Sequence, residues 1–155
     1  MVTGDRDGNF ESGEAAVRRV AWDVFELPNL SHIILFEGIN DVTENVPAAM
    51  VIAGVRTIIA EAHRRGVRVI VSTITPCIGD PAVDQACLQV EAERKKFNEW
   101  VLGSGEPDLI IDFNGAVGTG LTPETWLPWL TVDLLHPNPL GLMVMANSIP
   151  LEVLR

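Results

Sequence analysis

Val67-Arg68-Val69-Ile70-Val71-Ser72-Thr73 is a run of β-branched and apolar residues that starts just after Gly66 and is closed by Pro76. It does not alternate polar with apolar, so it reads as a strand buried on both faces. Upstream, Val51, Val55, Ile58, Ile59 and Ala62 recur at helical spacing, with Pro47 suited to a first helical position and Gly66 to the stop. Before that helix lies a second short apolar run, His32 to Phe36, ending in the turn-forming cluster Glu37-Gly38-Ile39-Asn40-Asp41. A first helix is expected from Glu14 to Leu27, with Ser12 or Gly13 as its cap and Pro28 beyond its end.

Downstream the pattern repeats. An amphipathic helix is expected from Val83 to Leu102, a third strand from Asp108 to Phe113, an irregular segment carrying Trp126 and Trp129, and a last helix from Pro139 toward Leu154. Wholly apolar strands separated by helices long enough to cross over predict a three-layer α/β/α domain, with a parallel sheet covered on both faces. Ligands of such sheets lie outside the carboxyl ends of the strands. Residues 1–155 form one domain, and 47% hydrophobic with 21% charged residues is the composition of a globular chain.

The formal charge of −10 disfavours nucleic acid and anionic membrane surfaces as partners. No apolar run reaches the length of a membrane span, and the opening residues lack the apolar core of a signal peptide. A metal site is not expected: there is no CxxC or HExxH, and His32, His63 and His136 stand in unrelated contexts. No cofactor is expected either. Asp5-Arg6-Asp7-Gly8-Asn9 fails as a calcium loop, because Phe10 stands where glycine is required and no glutamate closes it. Cys77 and Cys87 flank a Gly-Asp-Pro loop and are close enough to bridge; two free buried thiols fit the same spacing.

Two clusters carry chemistry. In Asp133-Leu134-Leu135-His136-Pro137-Asn138 an aspartate stands three residues before a histidine, and Asn138 and Pro139 are a good N-cap and first helical residue. Such an Asp fixes the imidazole and leaves its other nitrogen to accept a proton, which defines a general base. In the second cluster, Asn40 offers an amide donor suited to an oxyanion, and Gly38 permits a sharp turn beneath a substrate.

Taken together, Gly38-Ile39-Asn40-Asp41 after a buried strand and Asp133-x-x-His136-Pro137 before the last helix resemble the third and fifth signature blocks of the SGNH (GDSL-type) hydrolases. The resemblance runs from about Glu14 to the C-terminus and is similar to secreted bacterial and fungal members, so a secreted parent protein is implied. It implies a flavodoxin-like sheet and serine acyl-enzyme hydrolysis of carboxylic esters, on short acyl or acetyl groups and on acetylated carbohydrate among them. It also implies Asn40 as an oxyanion-hole side chain, His136 as base and then acid, Asp133 as its orienting carboxylate and Asp41 as structural.

The family's first block, G-D-S after the first strand, has no counterpart. Gly4-Asp5-Arg6 carries an arginine at the nucleophile position, and none of Ser12, Ser31, Ser72, Ser104 and Ser148 stands at a strand-to-helix elbow. Gly8 is the candidate for the second block, whose backbone N–H joins the oxyanion hole. The expectation is a domain lacking its first strand, first helix and second strand, inactive as written, and with an exposed edge strand ending at Phe36 that invites self-association. A non-catalytic remnant that binds a carbohydrate or a partner chain is the competing reading. A flavodoxin-like nucleotide-binding domain is disfavoured by the acidic charge and the missing glycine-rich phosphate loop.

Overall fold

A computed structural model describes residues 1–3, 14–79 and 84–151. The chain runs through α1 (Ala16–Asp23), β1 (His32–Leu35), α2 (Ile39–Thr43), α3 (Ala48–Arg64), β2 (Arg68–Ser72), α4 (Asp84–Gly103), β3 (Leu109–Ile111), α5 (Phe113–Val117), a 3₁₀ turn (Pro128–Leu130) and α6 (Pro139–Asn147). The sheet has three parallel strands in the order β1-β2-β3. Helices α3 and α4 each connect neighbouring strands in the same direction, so a common crossover hand puts both on one face. There Val51, Val55 and Ile58 of α3 and Val90, Phe97 and Val101 of α4 share a core with Ile33, Leu35, Val69 and Val71, joined by Ala16 and Val20 of α1. On the other face Ile70 and Ile111 pack with Phe113, Val117, Trp126, Leu130 and Met145. The architecture is therefore the three-layer α/β/α sandwich with a parallel sheet.

Several boundaries differ from the sequence expectation, each for a local reason. Helix α1 ends at Asp23, because the Phe25 N–H reaches back five residues to the Val20 carbonyl and closes the ladder; its N-cap position is Ala15, while Ser12 and Gly13 lie outside the described residues. Helix α6 stops at Asn147, well short of Leu154, since Pro150 cannot continue the ladder and restricts the residue before it. The third strand is only Leu109–Ile111, because the Asp112 side chain accepts the Gly115 N–H and starts α5. Glu37–Asp41, read as a turn, continues instead into the one-turn helix α2.

The two edges of the sheet are unequal. Ile34 is in register with Ile70, so both point to the α5/α6 face, yet Ile70 is fully buried and Ile34 is 45% exposed. Phe36 is 48% exposed, with its ring set edge-to-face against Phe113 at 4.9 Å between centroids. Among the described residues no strand pairs with the outer edge of β1. Its outer side is a trough walled by Ala16, Arg19 and Val20 of α1 and by Val24 just beyond it. Helix α6 is apolar all round, but leaves Leu140, Leu142 and Met143 exposed, whereas helices of that composition are usually buried.

Candidate active site

At the carboxyl ends of the strands lies a cleft of about 200 Å³ lined by Phe36, Glu37, Ile39, Asn40, Ile74, Thr75, Trp126, Leu135, His136 and Pro137. Asn40 and His136 thus meet at one cleft although 96 residues separate them (136 − 40).

The left wall is built by Gly38. Its φ of +116° is open to glycine alone at little cost, and a Cβ there would stand 2.8 Å from Ile74 Cδ1. That turn starts α2 at Ile39 and leaves Asn40 exposed, its amide without a hydrogen-bond partner among the described residues. Asp41 points the opposite way and is fully buried. Its carboxylate accepts the N–H of Val2 at 2.7 Å and of Thr3 at 2.9 Å, together with the Thr3 hydroxyl. Asp41 therefore holds the Val2-Thr3 segment against α2.

The right wall is the loop from Thr131 to Asn138. Asn138 caps α6 by accepting the Gly141 N–H, and its amide donates to the carbonyls of Trp129 and Thr131. The loop is closed on itself by the Val132 N–H and the Thr131 hydroxyl, both donating to the His136 carbonyl. Asp133 Oδ1 accepts the N–H groups of Leu135 and His136, while Oδ2 lies 2.7 Å from His136 Nδ1. The ring contact with His136 and these backbone donors hold the Asp133 carboxyl down at about 2. An ionised carboxylate only accepts, so Nδ1 is the donor in this contact, and Nε2 is left without a hydrogen-bond partner among the described residues.

Between the walls runs residues 73–79, fixed from below. Asn98 brackets Ile74, accepting its N–H at 2.8 Å and donating to its carbonyl at 2.9 Å. Arg94, with no exposed surface, donates to the same carbonyl and to Glu91, Glu124 and Asn114. Burial pushes its guanidinium toward losing the proton, but the carboxylates of Glu91 and Glu124 outweigh that and leave it raised. Trp126 Nε1 donates to the Pro76 carbonyl at 2.7 Å, and Cys77 is disulfide-bonded to Cys87. Of the two readings the cysteine spacing left open, the structure has the bridge.

Gly8 and Ser12 lie outside the described residues. Ser31 precedes β1 at the opposite end of the sheet, Ser72 is buried within β2, Ser104 follows α4 and Ser148 caps the end of α6; none lines the cleft. The one hydroxyl among the lining residues is Thr75, and no hydrogen bond joins it to His136. Thr75, Trp126, Phe36 and Glu37 are cleft residues that sequence reasoning missed. For Trp126 no local signal exists, since its place depends on a hydrogen bond across 50 positions. Among the described residues no group of His, Cys, Asp and Glu is arranged to hold a metal ion, and no helix is long and apolar enough to cross a membrane.

The fold is thus a parallel α/β/α sandwich that brings an Asp-His pair and an asparagine amide to the carboxyl ends of its strands. Residues 2–142 match the GDSL-like lipase/acylhydrolase family, and the chain belongs to it. Among solved structures it is similar to a GDSL-like lipase from Bacteroides thetaiotaomicron, at 19% identity and TM-score 0.70, over 88% of this chain and 68% of that one. It is also similar to a mutant of an acetyl-xylooligosaccharide esterase from Geobacillus, at 20% identity and TM-score 0.57, over 89% of this chain and 65% of that one. The chain thus spans about two thirds of the length of these neighbours. No curated protein matches it in sequence.

Proposed function

We propose that the chain carries the oxyanion-binding and general-base half of a serine ester hydrolase, and that its nucleophile enters on a strand–turn–helix element seated against the open edge of β1. The observation that carries this reading is the shared cleft of Asn40 and His136, with His136 Nδ1 engaged by Asp133 and Nε2 free. In the reaction, Nε2 takes the proton of a serine hydroxyl as its oxygen adds to the ester carbonyl, and the Asn40 amide donates to the oxyanion. His136 returns the proton to the leaving alcohol, and water then releases the acyl group by the same route. Gly8 is the proposed second oxyanion donor, and Gly38 sets the turn that presents Asn40.

Support for the seat is physical. A parallel strand would satisfy the free backbone groups of β1. The helix after it would cover Ile34, Phe36, Leu140 and Met143, which are otherwise left in water. The first strand, first helix and second strand that the family resemblance implies are such an element. Self-association through the same edge is a weaker occupant, because in an antiparallel pairing both copies of α1 would overhang one face of the joined sheet.

The proposed substrates are esters of short acyl groups, acetylated carbohydrates among them. The Geobacillus neighbour, an acetyl-xylooligosaccharide esterase, supports that choice by likeness of fold. The test compares the chain, alone and fused at its N-terminus to a strand–Gly-Asp-Ser–helix–strand element, on an activated acetyl ester. The chain alone is expected to match its His136→Ala variant, and the fusion to turn over and trap an acyl-serine. A folded fusion with no acyl-serine overturns the reading in favour of a non-catalytic binding module for a carbohydrate or partner chain. Turnover by the chain alone overturns the assignment of a missing nucleophile.

A further inference from the structure

His136 is 66% exposed at its side chain and Asp133 37%, so the pair is not held by burial. What fixes the loop is its two leucines. Leu134 has a φ of +69°, a conformation that non-glycine residues adopt at a cost of about 1–3 kcal/mol and keep only where packing over-determines it. Its side chain fits the space over Gly79: a Cβ on that glycine would lie 2.6 Å from Leu134 Cδ1. Leu135 packs against a small cluster of Cys77, Ile78 and Cys87, all buried. The same cluster touches Ile39, the residue before Asn40.

One apolar knot therefore contacts the chain neighbour of each candidate catalytic side chain. The disulfide ties the loop after β2 to α4 across ten residues, and α4 supplies Arg94 and Asn98, which hold Ile74 at the other end of the same segment. The segment is clamped at both ends by one helix, and the knot cannot shift without moving a wall of the cleft.

We propose that the disulfide-closed knot of Cys77, Ile78 and Cys87 is a spacer between the two walls of the cleft, and that through Leu134 and Leu135 it positions His136 relative to Asn40. These residues are positioning residues, since none bears a group aimed at a reacting atom. The proposal rests on the reading of His136 as the base, but its test does not need ester hydrolysis.

The Asp133 carboxyl reports how well the loop is held, because its low value comes from the His136 ring and the loop's own N–H groups. Carbon-13 titration of Asp133 in the full chain is expected to give about 2 in the wild type and to move upward, toward the ordinary 3.8, in Cys77→Ser/Cys87→Ser, Ile78→Ala and Gly79→Ala. Amide exchange of Leu135 and His136 should quicken by at least about tenfold in the same variants. Glu106, held at about 2 by Arg56 and Trp100 away from the cleft, is the internal control and should not move. If the double cysteine variant unfolds, Ile78→Ala and Gly79→Ala, which keep the disulfide, decide the matter.

Folded variants with unchanged Asp133 titration and unchanged loop exchange overturn the spacer. So does a wild-type protein without nuclear Overhauser contacts between Leu135 and Cys77. A fusion that never hydrolyses an ester while Asp133 responds as described defeats the proposed activity and leaves the spacer standing.

Discussion

The two flanks of this sheet are finished to different degrees. Around β2 and β3 the polar side chains Asn98, Arg94 and Trp126 beneath the cleft floor are all hydrogen-bonded. Ile74 is bracketed by Asn98, Arg94 is enclosed by two carboxylates and an amide, and Trp126 reaches the Pro76 carbonyl. Around β1 the apolar side chains Ile34 and Phe36 stand in water, and the strand's outer edge has no partner among the described residues. Such contrast within one small sheet separates what a cleft needs for shape from what it needs for chemistry. The floor and the right wall can be rigid on their own, while the side from which a nucleophile would arrive is the side left open.

The largest expected effect lies on the finished flank. Arg94→Met leaves Glu124 buried without its cation and half-buried Glu91 with Lys95 alone, and removing one member of a buried charge cluster costs about 3–5 kcal/mol. Urea unfolding of the chain measures this, and a loss below about 1 kcal/mol would show that the network is not what holds residues 74–76. The paired isoleucines give a finer contrast at one register. Ile70→Ala is expected to cost about 2–5 kcal/mol, and Ile34→Ala less than about 1 kcal/mol, because only the first opens a cavity. Equal losses at the two positions would mean that β1's open face is covered in solution. In the fusion with a strand–helix element the Ile34 cost should rise toward that of Ile70.

How legible this contrast is from sequence depends on the range of the interactions. The strand His32–Leu35, the helix stop at Gly66, the Asn138 cap and the Asp133–His136 pairing are local, and period, turn residues and spacing reveal them. The parallel sheet follows from apolar strands joined by crossover helices. The one-turn helices α2 and α5 carry too few residues to show a period. Arg94, a charged residue on an amphipathic helix, reads as solvent-facing. Only the approach of Glu124, Asn114 and Ile74 from three other segments makes its burial possible. Thr75 and Trp126 reach the cleft by the same long-range route.

On the left wall the expected effect is kinetic. In the complemented protein Asn40→Ala should lower the rate constant for acylation by about a hundredfold or more, as for loss of one oxyanion donor, with unfolding nearly unchanged because the amide has no partner in the described structure. An unchanged acylation rate in a folded, active protein would reduce Asn40 to a turn residue. Trp126→Phe, on the floor, removes one buried hydrogen bond to the Pro76 carbonyl and should cost about 1 kcal/mol.

The smallest effect expected concerns acid. The Asp133 carboxyl is depressed to about 2 from an ordinary 3.8, so whatever its contact with His136 contributes is complete above 3.8 and is lost as pH falls through about 2. The carboxylate is solvent-facing, so that contribution to stability is small. The difference in melting temperature between wild type and Asp133→Asn should therefore be slight and constant from about pH 5 upward, and should shrink only in the window between 3.8 and about 2. Any acid limb in the hydrolysis profile of the complemented protein at about pH 5 or above then belongs to a group other than Asp133. A melting difference that already fades at about pH 6 would mean that the Asp133–His136 contact is not held as the loop geometry implies, and the finished flank would be less finished than its hydrogen bonds suggest.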